Sequence, residues 1–255
     1  MGTLAPGGMR RLLRHPFAFT LAMLAYVGVA FVVEPFAGRA GELAIGAATW
    51  LALLAATRPS SPAERAQVAA VVLIATAGEV LGSLILGLYE YRRGGIPAFV
   101  PPGHGLVYLA GLRLSQTPHV RVHARAAVRV AIAGAVGWAA GGLAFGSRPD
   151  VAGALATVAL LGFVLRGREP TLFACMLFFV AVLELHGTAM GTWQWAAHWP
   201  GLHIPSANPP SGVAAGYCAF DALALRLGPR LRRGGTAAPA LHIRPARPAT
   251  APCAR

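Results

Sequence analysis

Apolar positions along this chain do not alternate, nor do they recur on one face of a turn. They gather into long blocks: Pro16–Val33, Glu42–Thr57, Val68–Leu88, Ala126–Phe145, Val151–Leu165, Thr171–Leu185 and Pro210–Leu227, with a shorter one at Gly105–Leu114. A block approaching about 20 residues crosses the hydrocarbon core as a helix, the form in which a single segment satisfies its own backbone groups in lipid. The pattern predicts an all-α, polytopic membrane bundle of about eight transmembrane helices.

Composition sharpens this picture. Of 255 residues, 56% are hydrophobic and 12% are charged, whereas a soluble domain carries roughly twice that charged share. The net charge of +13 comes from 22 basic residues, all arginine. With a cytoplasmic N-terminus and eight helices, most of them fall on the cytoplasmic side, among them Arg10, Arg11, Arg14, Arg121, Arg125 and those of the C-terminal tail. Arg39, Arg92, Arg93 and Arg148 fall outside. That asymmetry predicts a multi-pass protein of the cell membrane with both termini cytoplasmic. The charge therefore reads as topology and as affinity for the lipid bilayer, and no nucleic-acid partner is expected. Cys175, Cys218 and Cys253 have no CxxC spacing and predict neither a disulfide framework nor a zinc site.

Two stretches repeat. "GEVLGSLILGLYEY" (Gly78–Tyr91) aligns with "LELHGTAMGTWQW" (Leu183–Trp195). Glu79 then meets Glu184, Gly82 meets Gly187, Gly87 meets Gly191, and Tyr89-Glu90-Tyr91 meets Trp193-Gln194-Trp195, with one residue skipped between the glycines. Further on, "IPAFVPP" (Ile96–Pro102) matches "IPSANPP" (Ile204–Pro210). The shared order predicts an internal duplication: a first four-helix repeat over residues 1–120, a second over 121–228, and a disordered basic cytoplasmic tail over 229–255. An even number of helices per unit gives two parallel repeats, related by a pseudo-twofold along the membrane normal. The paired aromatics suit an interfacial belt, and Pro-Pro suits a helix start. Their recurrence together below a glutamate predicts stiff outer loops that fold back and roof a cavity.

Glu79 lies about eleven residues into its block, near the bilayer midplane, and Glu184 about thirteen into its own, at equivalent or slightly outer depth, where a carboxylate is costly and should face the interior. They are the candidate catalytic residues. The candidate substrate-binding set is Tyr89, Tyr91, His104, His186, Trp193, Trp195 and Asn208. His186 follows Glu184 by two residues, about 200° around a helix, so the two point to different faces. No H-x3-H or HExxH spacing joins the histidines, and no metal or other cofactor is expected. Arg113 and Asp221 occupy matching repeat positions, and a pair between them would serve assembly.

Glutamate, spaced glycines, G-x-[YW]-x-[YW] and a proline-rich return resemble the integral-membrane carotenoid-modifying proteins. The pattern is closest to the carotenoid hydratases and more loosely similar to the membrane lycopene cyclases. In those cyclases an acidic residue accompanies the prolines; here Gly103-His104 and Ser211-Gly212 follow them. The resemblance implies proton-initiated addition or cyclisation on an isoprenoid or carotenoid-like lipid, a hydrophobic small molecule. The alternative class is a small-solute transporter with the two glutamates as coupling groups, and a further one is a non-catalytic membrane assembly protein. Oligomeric state is left open.

Overall fold

The computed structural model describes residues 15–234, and most of them are helical. The helices are α1 (Pro16–Val33), α2 (Gly38–Thr57), α3 (Pro62–Glu79), α4 (Val100–Ser115), the short α5 (Pro118–Val122), α6 (Ala124–Phe145), α7 (Val151–Arg166), α8 (Pro170–Ala189) and α9 (Ala214–Gly234). Helix α3 runs on into a π-helical turn at Val80–Ile85. Among the described residues five helices are long and apolar enough to cross a membrane: Pro16–Phe36, Gly38–Thr57, Pro62–Ile85, Ala124–Phe145 and Pro170–Ala189. Helix α7 is apolar but shorter. Helix α9 continues past the predicted start of the tail to Gly234, and the rest of that tail lies outside the described residues.

Local chemistry explains where these helices begin. Proline occupies the first turn of α1, α3, α4 and α8, where its missing N–H has no partner to lose. Helix α3 adds a capping box: Ser61 Oγ accepts from Glu64 N at 3.2 Å, and Glu64 Oε2 accepts from Ser61 N at 2.7 Å. Asp150 caps α7 through Gly153 N, and the same carboxylate accepts from Ala207 N at 2.9 Å and Ser211 N at 2.8 Å. It thereby ties the second proline-rich loop to the bundle.

Packing sorts the helices by what surrounds them. Leu21, Leu51, Leu73, Val130 and Val158 stand outward and are about two-thirds exposed or more, as lipid-facing side chains do. Helix α4 is the most enclosed, with Leu106, Tyr108, Leu109 and Ala110 at 3% exposure or less. It packs on α3, α2, α1 and α8. This central place explains why the apolar block at Gly105–Leu114 looked short. A helix wrapped by other helices can carry His104 and Arg113, whose polar side chains find partners inside the protein.

Strands complete the fold, which the all-helical expectation did not include. Strand β1 (Tyr89–Tyr91) pairs antiparallel with β2 (Trp193–Trp195) in the register Tyr89↔Trp195, Glu90↔Gln194 and Tyr91↔Trp193. Arg92 N donates to Thr192 O and Ala196 N to Leu88 O, which lengthens the ladder at both ends. A smaller pair joins β3 (His198–Trp199) to β4 (Ile204–Pro205). Each strand of the first pair leaves its helix through a glycine at positive φ, Gly87 at 64° and Gly191 at 67°. That left-handed corner is open to glycine at no steric cost.

Candidate functional site

The two paired strands close one end of the bundle, and their aromatic side chains reach back to the helices they came from. Tyr89 and Tyr91 each donate a hydroxyl hydrogen to Glu79 Oε2, both at 2.7 Å. Trp193 and Trp195 each donate an indole N–H to Glu184 Oε2, at 2.9 and 3.0 Å. Both carboxylates are almost fully buried, at 6% and 3% exposure. Each is therefore held by two aromatic donors of its own return strand, which is the partnering a buried carboxylate requires.

This reach depends on small residues on the helices. The Tyr89 ring lies over Gly82, and the Trp193 ring lies over Gly187 so closely that a Cβ there would overlap it. Stacking joins the two sides of the roof, with Tyr89 and Trp195 ring centroids 4.6 Å apart. Burial, and after it the charge of Glu79, pushes the Tyr89 and Tyr91 phenols above their ordinary pKa. They stay protonated, and so remain donors, wherever ordinary tyrosines are protonated.

The groups beneath the roof differ from side to side. His104, in the first turns of α4, places Nε2 2.8 Å from Glu79 Oε1. Glu79 thus has both oxygens engaged. Tyr217, from α9, presents its hydroxyl to Glu184 and stacks on His104 at 4.9 Å between centroids. Among the described residues Glu184 has no ion-pair partner.

Together these groups line one cavity of about 240 Å³. Its polar wall is Glu79, Glu184, His104, Tyr89, Tyr91, Trp193, Trp195 and Tyr217, and much of the remainder is apolar: Val27, Phe31, Phe99, Val107 and Phe220 among others. Tyr26 and Thr49, hydrogen-bonded to each other at 2.6 Å, add a polar spot on α1 and α2.

Two residues of the predicted set lie elsewhere. His186 turns to α1, its Nε2 3.1 Å from Gly28 O and its ring against Phe31, and it does not line the cavity. Asn208 accepts from Trp195 N at 3.0 Å and so braces β2 from outside. The proposed Arg113–Asp221 pair is not formed either. Arg113 donates to Ala56 O at 2.7 Å and Ser60 Oγ at 3.1 Å and covers the Phe19 ring. The Asp221 Oδ2 atom is buried with no hydrogen-bond partner among the described residues. The matching repeat positions lie on helices that are separately packed, so equivalence in sequence did not become contact. Among the described residues no three of His, Cys, Asp and Glu converge as a metal-ligand group.

Sequence reasoning also missed participants. Tyr217 and Phe220 belong to an apolar block whose aromatic spacing carried no distinct signal. The double arginine after β1 has a role visible in three dimensions only. Arg93 pairs with Glu34 and, at 3.4 Å, with Glu42, while Arg92 pairs with Glu34 at 3.5 Å and donates to Met190 O. Glu34 and Glu42 are 1% and 3% exposed. The ion pairs latch the roof to the end of α1 and to α2, and the Arg92 hydrogen bond latches it to the end of α8.

Comparison with family models, curated proteins and solved structures yields no match to this chain.

Proposed function

We propose that the protein is an integral membrane enzyme that acts on an isoprenoid or carotenoid-like lipid by proton-initiated addition or cyclisation. The observation that carries this reading is the pair of buried carboxylates, each anchored by two aromatic donors, facing one mostly apolar cavity. Apolar walls suit an unsaturated hydrocarbon chain better than a small polar solute, which favours the enzyme over a coupled transporter.

The hydrogen bonds suggest a division of labour. Glu79 has two phenol donors on one oxygen and a histidine against the other, the environment of a proton acceptor. Glu184 sits without a cationic partner, where the neutral acid is the cheaper form to bury. In this scheme the Glu184 carboxyl gives its proton to one carbon of a C=C bond, and the electron pair of that bond forms the new C–H. The carbocation left on the neighbouring carbon is steadied by the surrounding aromatic faces. Water then adds to it, or a second double bond closes a ring. The surplus proton passes to the Glu79–His104 pair, which restores a neutral product.

The same reading places eight helices across the cell membrane in two parallel repeats, α1–α4 and α6–α9, with both termini cytoplasmic. Several features support it. The third helix of each half packs on the fourth helix of the other, α3 on α9 and α8 on α4. The one residue skipped in aligning the halves falls where α3 forms its π-helical turn and α8 does not. A π-bulge is how a helix absorbs a single inserted residue without losing register. Pairing of β1 with β2 about Glu90↔Gln194 is also what a local twofold produces.

The test compares lipid extracts by mass spectrometry from cells with and without the gene, and from cells carrying Glu79→Gln or Glu184→Gln. The expected result is a new hydrated or cyclised lipid with the intact gene. Its formation rate should fall by roughly a hundredfold or more in either variant at equal expression. Unchanged lipid profiles, or full activity in both variants, would overturn the reading.

A further inference from the structure

The cavity that holds Glu79 and Glu184 has a second polar spot in its wall, the hydroxyls of Tyr26 on α1 and Thr49 on α2. The two oxygens lie 2.6 Å apart. Ile45 O accepts from Thr49 Oγ1 at 2.7 Å and lies 3.3 Å from the Tyr26 hydroxyl. A hydroxyl carries one hydrogen and two lone pairs. When Thr49 donates to Ile45 O, Tyr26 donates to Thr49; when Tyr26 donates to Ile45 O, Thr49 donates to Tyr26. In both arrangements the two hydrogens stay within the trio, and the hydroxyl oxygens keep acceptor positions that no other described residue fills. The spot therefore offers lone pairs to the cavity and no hydrogen.

Its place in the wall is the side by which a lipid can enter. Helices α1 and α2 pack on α4 rather than on each other. The cavity residues they supply, Tyr26, Val27, Ala30 and Ile45, are half-buried, whereas Leu106, Val107 and Leu183 on α4 and α8 are buried. Helices α3 and α9 close on each other instead: the Phe220 ring lies so near Gly78 that a Cβ there would overlap it. Helices α6 and α7, the counterparts of α1 and α2 in the second half, pack together and contribute nothing to the lining.

We propose that the Tyr26–Thr49 pair selects a substrate that carries a hydroxyl group. The ligand class is an isoprenoid alcohol whose O–H donates to the pair, with one of its double bonds lying toward Glu79 and Glu184 and the rest of its chain leaving between α1 and α2. A ketone, an ether or a plain hydrocarbon has no hydrogen to give, and a site built to accept one discriminates against them. This inference rests on the isoprenoid reading of the cavity and narrows it.

Farnesol bearing a diazirine near its hydroxyl end is the probe, with the full-length protein in lipid nanodiscs. Photolysis is expected to label α1 or α2 around Tyr26 and Thr49, read by peptide mass spectrometry. Labelling confined to other helices, or none, would overturn the proposal, and this arm needs no variant. Unlabelled farnesol and farnesyl methyl ether then compete against the probe. In Tyr26→Phe/Thr49→Val, which keeps the ring and the branched shape, the preference for the alcohol over the ether should fall about fivefold from its native value, the effect of losing one ordinary hydrogen bond. Comparing the same ratio in both proteins cancels any difference in how the competitors partition into lipid. An equal preference in native protein and double variant would also overturn the proposal. Neither arm involves turnover. A hydroxyl preference that behaves as expected, alongside unchanged lipid profiles in the glutamate variants, would remove the enzyme and keep this site; the opposite pair of results would do the reverse.

Discussion

At the residue scale, the site is built from side chains that fit only because others are missing. Gly187 leaves room for the Trp193 ring, and Gly134 on α6 faces open space. Gly187→Ala is expected to push Trp193 off Glu184 and to destabilise the protein by about 1–3 kcal/mol, the usual cost of overpacking. Gly134→Ala should be neutral or mildly stabilising, because alanine is the better helix former by about 1 kcal/mol. Thermal unfolding in detergent or nanodiscs compares the two. The tyrosines give a pH dependence with a definite sign. Tyr89 and Tyr91 have folded pKa values raised above their unfolded ones. Their contribution is fully present below the unfolded value, about pH 10, and declines as pH rises above it. Melting temperature followed to alkaline pH should therefore fall above about pH 10 in the native protein, and less steeply in Tyr89→Phe/Tyr91→Phe.

At the element scale, the roof is a minimal sheet held at both faces. Two strands of three residues would not persist alone in water. Here aromatic hydrogen bonds secure them from below and the Arg92–Arg93 latch secures them at the side. Glu90 and Gln194 stand opposite each other in the ladder and both point to solvent. Cysteines at opposed antiparallel positions lie within the Cα separation that a disulfide spans. Glu90→Cys/Gln194→Cys should form a disulfide under mild oxidation, seen as a mobility shift reversed by reductant. Glu90→Cys paired with a cysteine at Asp150 should not. Arg93→Ala removes the main counter-charge of Glu34 and is expected to cost about 3–5 kcal/mol, the range for breaking a buried pair. It should also make the roof tryptophans more accessible to an aqueous fluorescence quencher.

At the scale of the whole molecule, the arrangement of helices follows from a choice between lipid and protein as neighbour. Helices α1, α2 and α6 present exposed apolar residues, whereas α4 and α8 form the enclosed centre. The proposed eight-span topology makes a plain expectation. Tags at both termini should report the same side of the membrane, and a tag in the residue 37–41 turn should report the other. Opposite sidedness of the two termini would remove the even helix count and, with it, two parallel repeats.

The sequence by itself determined the membrane class, the positions of the helical blocks and the adjacency of each glutamate to its aromatic pair. All three depend on order along one segment, and hydropathy, proline and glycine act over a few residues. It did not determine which side chains meet. His104 reaches Glu79 because α4 is rotated to face α3, and Tyr217 reaches Glu184 because of how α9 turns about its axis. His186 and Asn208 carried equal promise in sequence but were turned toward a backbone carbonyl of α1 and an amide of β2. The same holds for the double arginine, whose partners Glu34 and Glu42 lie some 50 to 60 residues earlier in the chain. Helix rotation and strand register are set by packing summed over the whole bundle. No local pattern encodes that sum, so only the tertiary structure decided which buried polar groups became partners and which, like Asp221 Oδ2, have none among the described residues.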